Sequence, residues 1–160
     1  MKIALFTETF LPHINGVVTH VKILRDGLIA QGHEVLVVAA DSETRHHYIE
    51  DGILHCPGVR SKHFYNYGLA SPYSRRRLKM IAEFDPDIIH IHNEFGVGLS
   101  GFHAAKQLKV PLVYTLHTMY DDYLYYIAPR KLLRVAKKIS HDYFRHLGNR
   151  ADELTGPSPK

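Results

Sequence analysis

The chain has 160 residues, 45% of them apolar and 22% charged, with a net charge of +4. That size fits one ordinary domain with a real core, the balance is that of a soluble globular chain, and no apolar run approaches the ~18 residues of a membrane span. The opening run Ile3–Phe6 is short and meets polar Thr7-Glu8-Thr9 at once, which excludes a signal peptide, and the lone Cys56 excludes an internal disulfide and points to a reducing compartment, so the cytoplasm is expected.

In chain order, Lys2–Thr7 reads as a buried strand, followed by a loop and a helix that opens at Gly16. Val17, Val18, Val21, Leu24, Leu28 and Ile29 recur at helical spacing, and Gly32 is the expected stop. Glu34–Ala40 is a continuous apolar run, as in a strand covered on both faces. Ile53–Cys56 is a weaker strand between two expected loops, Ser42–Tyr48 and Arg60–Pro72. Tyr73–Phe84 reads as a second helix, ended by Asp85-Pro86. Asp87–His92 and Leu112–His117 are strong strands entered through Pro86 and Pro111, with a helix over Gly96–Leu108 between them. Lys131–Leu147 is a long fourth helix whose stripe comprises Leu132, Leu133, Val135, Ala136, Ile139, Tyr143, Phe144 and Leu147. Ala151–Lys160 begins one more strand-like step. Strands alternating with helices predict an α/β fold: a parallel sheet with right-handed crossovers and helices on both faces.

Ligands of such sheets bind at the carboxyl ends of the strands. Three ends converge there: Glu8, Thr9, Asn15 and Gly16 after the first strand; His92, Asn93, Glu94 and Gly96 after the fourth; His117, Thr118 and Tyr120 after the fifth. A helix start offers backbone N–H groups to an anion, and Gly16 lets a ligand approach the backbone. The first loop has neither the Gly-x-Gly-x-x-Gly of a dinucleotide fold nor the Gly-Lys-Ser/Thr of a P-loop. An ordinary helix entry capped by Asn15 is the competing reading. His90 and His92, two apart, share one face of their strand. With Glu94 they have metal-ligand chemistry, but a central strand is normally covered by helices, and no metal is expected. His117 has the chemistry to accept a proton or to hydrogen-bond a hydroxyl at neutral pH, or else it is a structural histidine under a loop.

Between Arg130 and Arg150 stand seven Lys or Arg against the single acid Asp142, and Arg75, Arg76, Arg77 and Lys79 form a second basic cluster. Such patches are solvated helix faces or surfaces for anions. A basic amphipathic helix suits an anionic membrane surface, with Arg75, Arg76, Arg77, Arg134, Lys137 and Lys138 as the expected contacts. Nucleic acid is not expected, because no aromatic recognition motif is interleaved with these residues.

Taken together, Lys2-Ile3-Ala4-Leu5-Phe6-Thr7 with Pro12 and Asn15-Gly16-Val17-Val18, Gly32-His33-Glu34-Val35, Asp85-Pro86-Asp87-Ile88-Ile89-His90-Ile91-His92, Pro111-Leu112-Val113-Tyr114-Thr115-Leu116-His117-Thr118, and Ala151-Asp152 with Pro157-Ser158 resemble the N-terminal domain of retaining glycosyltransferases of family four. The resemblance covers essentially the whole chain. It implies a Rossmann-like domain forming the N-terminal, acceptor-side half of a GT-B fold, with the nucleotide-sugar-binding C-terminal domain absent from residues 1–160. It implies no cofactor but a nucleotide-sugar co-substrate, UDP-glucose foremost. Asn15, Gly16 and Val17 would approach the donor diphosphate, and His117 would be catalytic, at the transferred sugar or the acceptor hydroxyl. Glu8, His92, Glu94, Thr118 and Tyr120 would contact sugar or acceptor. Asn15 stands where many members carry the first of two glycines.

The tyrosine-rich 120–127 loop and the basic helix look most like bacterial members that glucosylate diacylglycerol. The expected acceptor is thus a lipid or another small hydroxyl compound, and the expected location is the cytoplasm, peripheral at the inner face of the plasma membrane. Alone, the chain would be half an enzyme without turnover. Two other readings stay open: a non-catalytic sugar- or nucleotide-binding module, and a metal-dependent hydrolase using His90, His92 and His117.

Overall fold

A computed structural model describes residues 1–60, 68–117 and 133–156. Its strands are β1 (Lys2–Thr7), β2 (Glu34–Asp41), β3 (Tyr48–Glu50), β4 (Ile53–Arg60), β5 (Gly68–Ala70), β6 (Ile88–Ile91), β7 (Leu112–Thr115) and β8 (Glu153–Thr155), and its helices are α1 (Gly16–Ala30), α2 (Arg75–Phe84), α3 (Gly96–Leu108) and α4 (Leu133–Gly148). The sheet order is β3-β4-β2-β1-β6-β7-β8. Every pair from β4 to β8 along that path is parallel, while β3 and β5 add to β4 antiparallel. The order reverses beside β1, where β2 lies on one side and β6 on the other, and that switch point is where an open α/β sheet holds its ligand.

Alternation along β1 builds two cores. Ile3 and Leu5 pack with Val37 and Ala39 under Val18 and Val21 of α1. Ala4 and Phe6 face the other way, with Ile89, Ile91 and Tyr114, under Ile81 of α2, Val97, Phe102 and Ala104 of α3 and Leu147 of α4. So α1 covers one face and the other three helices cover the opposite one. The parallel α/β architecture read from the alternation is the one observed.

Two short strands were not legible as strands. β3 and β5 fall at the ends of the expected loops, and both exist by pairing with β4. The second helix starts at Arg75, two residues later than expected, because Ser74 caps it by accepting from the Arg77 N–H. It ends at Asp85 with φ of 57°, a left-handed cap before Pro86. The fourth helix buries less of its stripe than expected: Leu147 is in the core and Tyr143 packs against it, but Val135 is 55% and Ile139 64% exposed.

Candidate functional site

The site grows from the ends of β1, β6 and β7. After β1 the chain loops to Asn15, whose extended backbone and side chain cap α1: Oδ1 accepts from the Val18 N–H at 2.9 Å. The cap leaves Gly16 at the first helical position, and a Cβ placed there would meet none of the described residues within 4 Å. Packing among the described residues therefore does not require glycine at this position. One turn on, on the same helical face, stands exposed His20.

His20 faces the two strand ends beyond β1. Its ring centroid lies 4.8 Å from that of His117, edge-on, and 5.5 Å from that of His92. His92 Nδ1 and His117 Nε2 are 3.0 Å apart, a hydrogen bond whose donor depends on the tautomers. His92 is 1% exposed, and its Nε2 has no partner among the described residues. The His90 ring lies 4.1 Å from that of His92, tilted against it, but its Nε2 is hydrogen-bonded to Thr115 Oγ1 at 2.7 Å, which in turn meets Thr155 Oγ1. His90 is thus tied into the β6-β7-β8 ladder. His20, not singled out in the sequence, takes the place it was expected to hold in the cluster.

Burial, followed by the charge of the neighbouring imidazoles, holds these rings neutral. The pKa of His90 falls to about 4, that of His92 to about 2 and that of His117 to about 4. At neutral pH His90, His92 and His117 therefore offer imidazole nitrogens that accept or donate hydrogen bonds without charge.

The two acids turn inward. Glu8 leaves the end of β1 and accepts from the backbone N–H of Ala70 at 2.8 Å and of Val97 at 2.7 Å, and from Asn93 Nδ2 at 3.1 Å. Its pKa is raised by burial, against the pull of these donors and of the Arg77 charge. Glu94, 3% exposed, accepts from the Tyr114 hydroxyl at 2.8 Å, while its carbonyl accepts from the Tyr143 hydroxyl at 2.6 Å. Both carboxylates, expected at the sugar, are engaged by the protein itself.

The glycines of α3 explain the Glu8 contact. Gly96-Val97-Gly98-Leu99-Ser100-Gly101 has the Gly-x-Gly-x-x-Gly spacing and opens a helix, separated from the parallel strand β6 by the 92–95 loop. In a dinucleotide fold a pyrophosphate sits at that helix start. Here the N-cap, Phe95, makes no side-chain cap, and the Glu8 carboxylate occupies the anion position instead. Gly96, at φ of 36°, would drive a Cβ into that carboxylate, and a Cβ on Gly98 would run into the Asn93 carbonyl. A Cβ on Gly101 would lie 2.9 Å from Ile91 and 3.0 Å from Phe6. The spacing was present in the sequence; its occupant was not.

Among the expected surface residues, Arg75, Arg76, Arg134 and Lys138 are exposed and Lys137 is half-buried. Arg77 must be removed from that set. It is 1% exposed, donates from Nη1 to the Ser71 carbonyl at 2.9 Å and lies beside Cys56 and Glu8. Cys56 itself is buried, its thiol pushed up to about 11, so it is no nucleophile. Thr118 and Tyr120 lie outside the described residues. A recess of about 580 Å³ between Phe102, Lys106, His146 and Arg150 lies at the amino ends of β7 and β8, away from the cluster of His20, His92 and His117.

A Rossmann-like sheet with its polar cluster at the switch point defines an open α/β domain whose candidate ligand site lies at the strand ends. The chain belongs to Glycosyltransferase Family 4, whose profile matches residues 14–160. It is 35% identical over 134 residues to an alpha-monoglucosyldiacylglycerol synthase of Streptococcus pneumoniae, covering 84% of this chain and 30% of that protein. It is 33% identical over 163 residues to a GDP-mannose-dependent alpha-mannosyltransferase of Mycolicibacterium smegmatis, covering 99% of this chain and 42% of that protein. The chain thus spans less than half the length of these relatives. Its fold is similar to that of a UDP-GlcNAc 2-epimerase from Methanocaldococcus jannaschii, with a TM-score of 0.54 at 11% identity over 99% of this chain and 40% of the other.

Proposed function

We propose that the chain is the acceptor-side half of a retaining glycosyltransferase that moves a hexose from a nucleotide sugar to a lipid hydroxyl. The observation that carries this reading is the convergence of His20 and His117 beside the open start of α1, at the switch point of the sheet. Asn15, Gly16 and Val17 present the helix start to the donor diphosphate, where the dipole and free N–H groups favour negative charge. Gly16 leaves the space for it. His117, neutral at pH 7, hydrogen-bonds the transferred sugar or the acceptor hydroxyl, and His92 fixes its ring from behind. Glu8 and Glu94 act as struts that position the strand-end loops.

UDP-glucose is the proposed donor and diacylglycerol the proposed acceptor, a choice supported by the name of the synthase relative. The mannosyltransferase relative keeps GDP-mannose as the competing donor. A second polypeptide segment of the enzyme holds the nucleotide, so residues 1–160 alone do not turn over. Val135 and Ile139, exposed among Arg134, Lys137 and Lys138, form the face that meets anionic lipid. No described helix is long and apolar enough to cross a membrane; the proposed location, peripheral at the cytoplasmic surface, rests on the basic face of α4.

The test is transfer by the longest protein carrying this chain, given radiolabelled UDP-glucose or GDP-mannose and dioleoylglycerol in mixed micelles. Glucolipid formation, reduced at least ~100-fold in kcat by His117→Asn, is the expected result. Lipid labelling unaffected by His117→Asn, or no transfer from either donor, overturns the reading.

A further inference from the structure

The histidine cluster has a chemistry that sugar transfer does not use. One nitrogen from each of His20, His92 and His117 lies within 4.8 Å of the other two. The three come from three separate elements: the second turn of α1 and the ends of β6 and β7. We propose that these three imidazoles form a binding site for a divalent transition ion of the zinc class, with the fourth position open to water.

Imidazole nitrogen suits zinc and its neighbours far better than it suits magnesium or calcium. With zinc–nitrogen bonds of about 2.0–2.1 Å in a tetrahedron, ligand nitrogens stand about 3.3 Å apart. His92 Nδ1 and His117 Nε2, at 3.0 Å, are already near that spacing. His20 closes the remainder by a side-chain rotation, for which its exposed position on α1 leaves freedom. That same exposure gives the ion a way in from solvent.

His90 does not join the set, because its Nε2 is held by Thr115. It backs the His92 ring at 4.1 Å and keeps the buried ligand in place. The hydrogen now bridging His92 and His117 must leave on coordination. With His117 as its carrier, that ring takes the other tautomer through exchange with solvent, and no net proton is released. Three protein nitrogens with one open position is the arrangement that binds a ligand oxygen. An ion here fills the volume beside His117 and so excludes a sugar from it. Zinc and sugar would therefore compete for His117, and the zinc titration is read without any transfer assay.

The experiment is a zinc titration of the 160-residue chain against a chromophoric chelator, paired with cobalt(II) absorption spectra. One zinc per chain and the intense visible bands of tetrahedral cobalt are expected. His20→Ala and His117→Asn each weaken zinc binding at least ~100-fold, more than the loss of an outer-shell partner costs. His146→Ala, on α4, changes nothing. Far-UV circular dichroism confirms that each variant is folded, and His20, being exposed, can be removed without opening the core. Binding of equal strength in His20→Ala, or no saturable zinc binding by the parent chain, overturns the proposal.

Discussion

The carboxylate of Glu8 accepts the Val97 N–H at 2.7 Å, so the residue that follows β1 supplies the N-terminal anion of α3. The same two oxygens hold Ala70 of β5 and Asn93 of the β6 loop. All three partners are donors. Glu8→Gln turns one acceptor into an NH₂ facing donors, which leaves buried groups unmatched at a cost of about 1–3 kcal/mol. We expect a lower urea midpoint for Glu8→Gln at pH 7, and an unchanged midpoint would refute the strut role.

Two glycines at helix starts have opposite fates. Gly16 has open space where a Cβ would go, and Gly98 has the Asn93 carbonyl there. Gly16→Ala is expected to leave stability within about 1 kcal/mol of the parent chain. Gly98→Ala forces α3 off the sheet and costs about 3 kcal/mol or more. Thermal unfolding of the two variants side by side reads this contrast. If the donor diphosphate approaches Gly16, the Gly16→Ala protein is folded but loses donor affinity.

The depressed histidines make stability depend on pH. In the unfolded chain His90 and His117 titrate near 6.5, and in the folded chain burial lowers both to about 4. Stability from keeping them neutral is complete above pH 6.5 and is lost as pH falls from 6.5 through about 4. Glu8 works in the opposite sense: its raised pKa makes protonation favour the folded chain as pH drops. Urea midpoints at pH 7.5, 6 and 5 should fall steadily, before most carboxylates titrate. A flat profile over that range would show that the cluster is not buried as described.

The basic surface makes a directional prediction. Lys138→Glu combined with Arg134→Glu reverses two exposed charges on α4. At about 1 kcal/mol per basic residue near an anionic surface, vesicle binding should fall at least tenfold. Sedimentation with phosphatidylglycerol vesicles, against pure phosphatidylcholine vesicles, measures it. Arg77→Met should instead lower stability, because Arg77 is a buried hydrogen-bonding residue and not a surface charge.

The frame of this domain was legible in the sequence. Apolar runs over Lys2–Thr7 and Glu34–Ala40 and helical spacing from Val17 to Ile29 depend on local periodicity, and that periodicity matches β1, β2 and α1. The cap at Asn15 was readable for the same reason, since its bond spans three residues. The strands β3 and β5 were not: three residues carry too little pattern, and their stability comes from pairing with β4.

At the site, the sequence by itself determined which residues stand at the strand ends, because position along a strand fixes which end a residue occupies. It placed His92, His117 and the Gly16 loop together on that ground. Tertiary structure alone decided what each side chain meets. Glu8 finds its donors 62 to 89 residues away, and Arg77 turns inward. His20 comes within reach of His117 because α1 packs back over β1 and β2. Those outcomes depend on how the crossovers lay the helices on the sheet and on which buried donor lacks a partner, and neither is encoded in a local window of the chain.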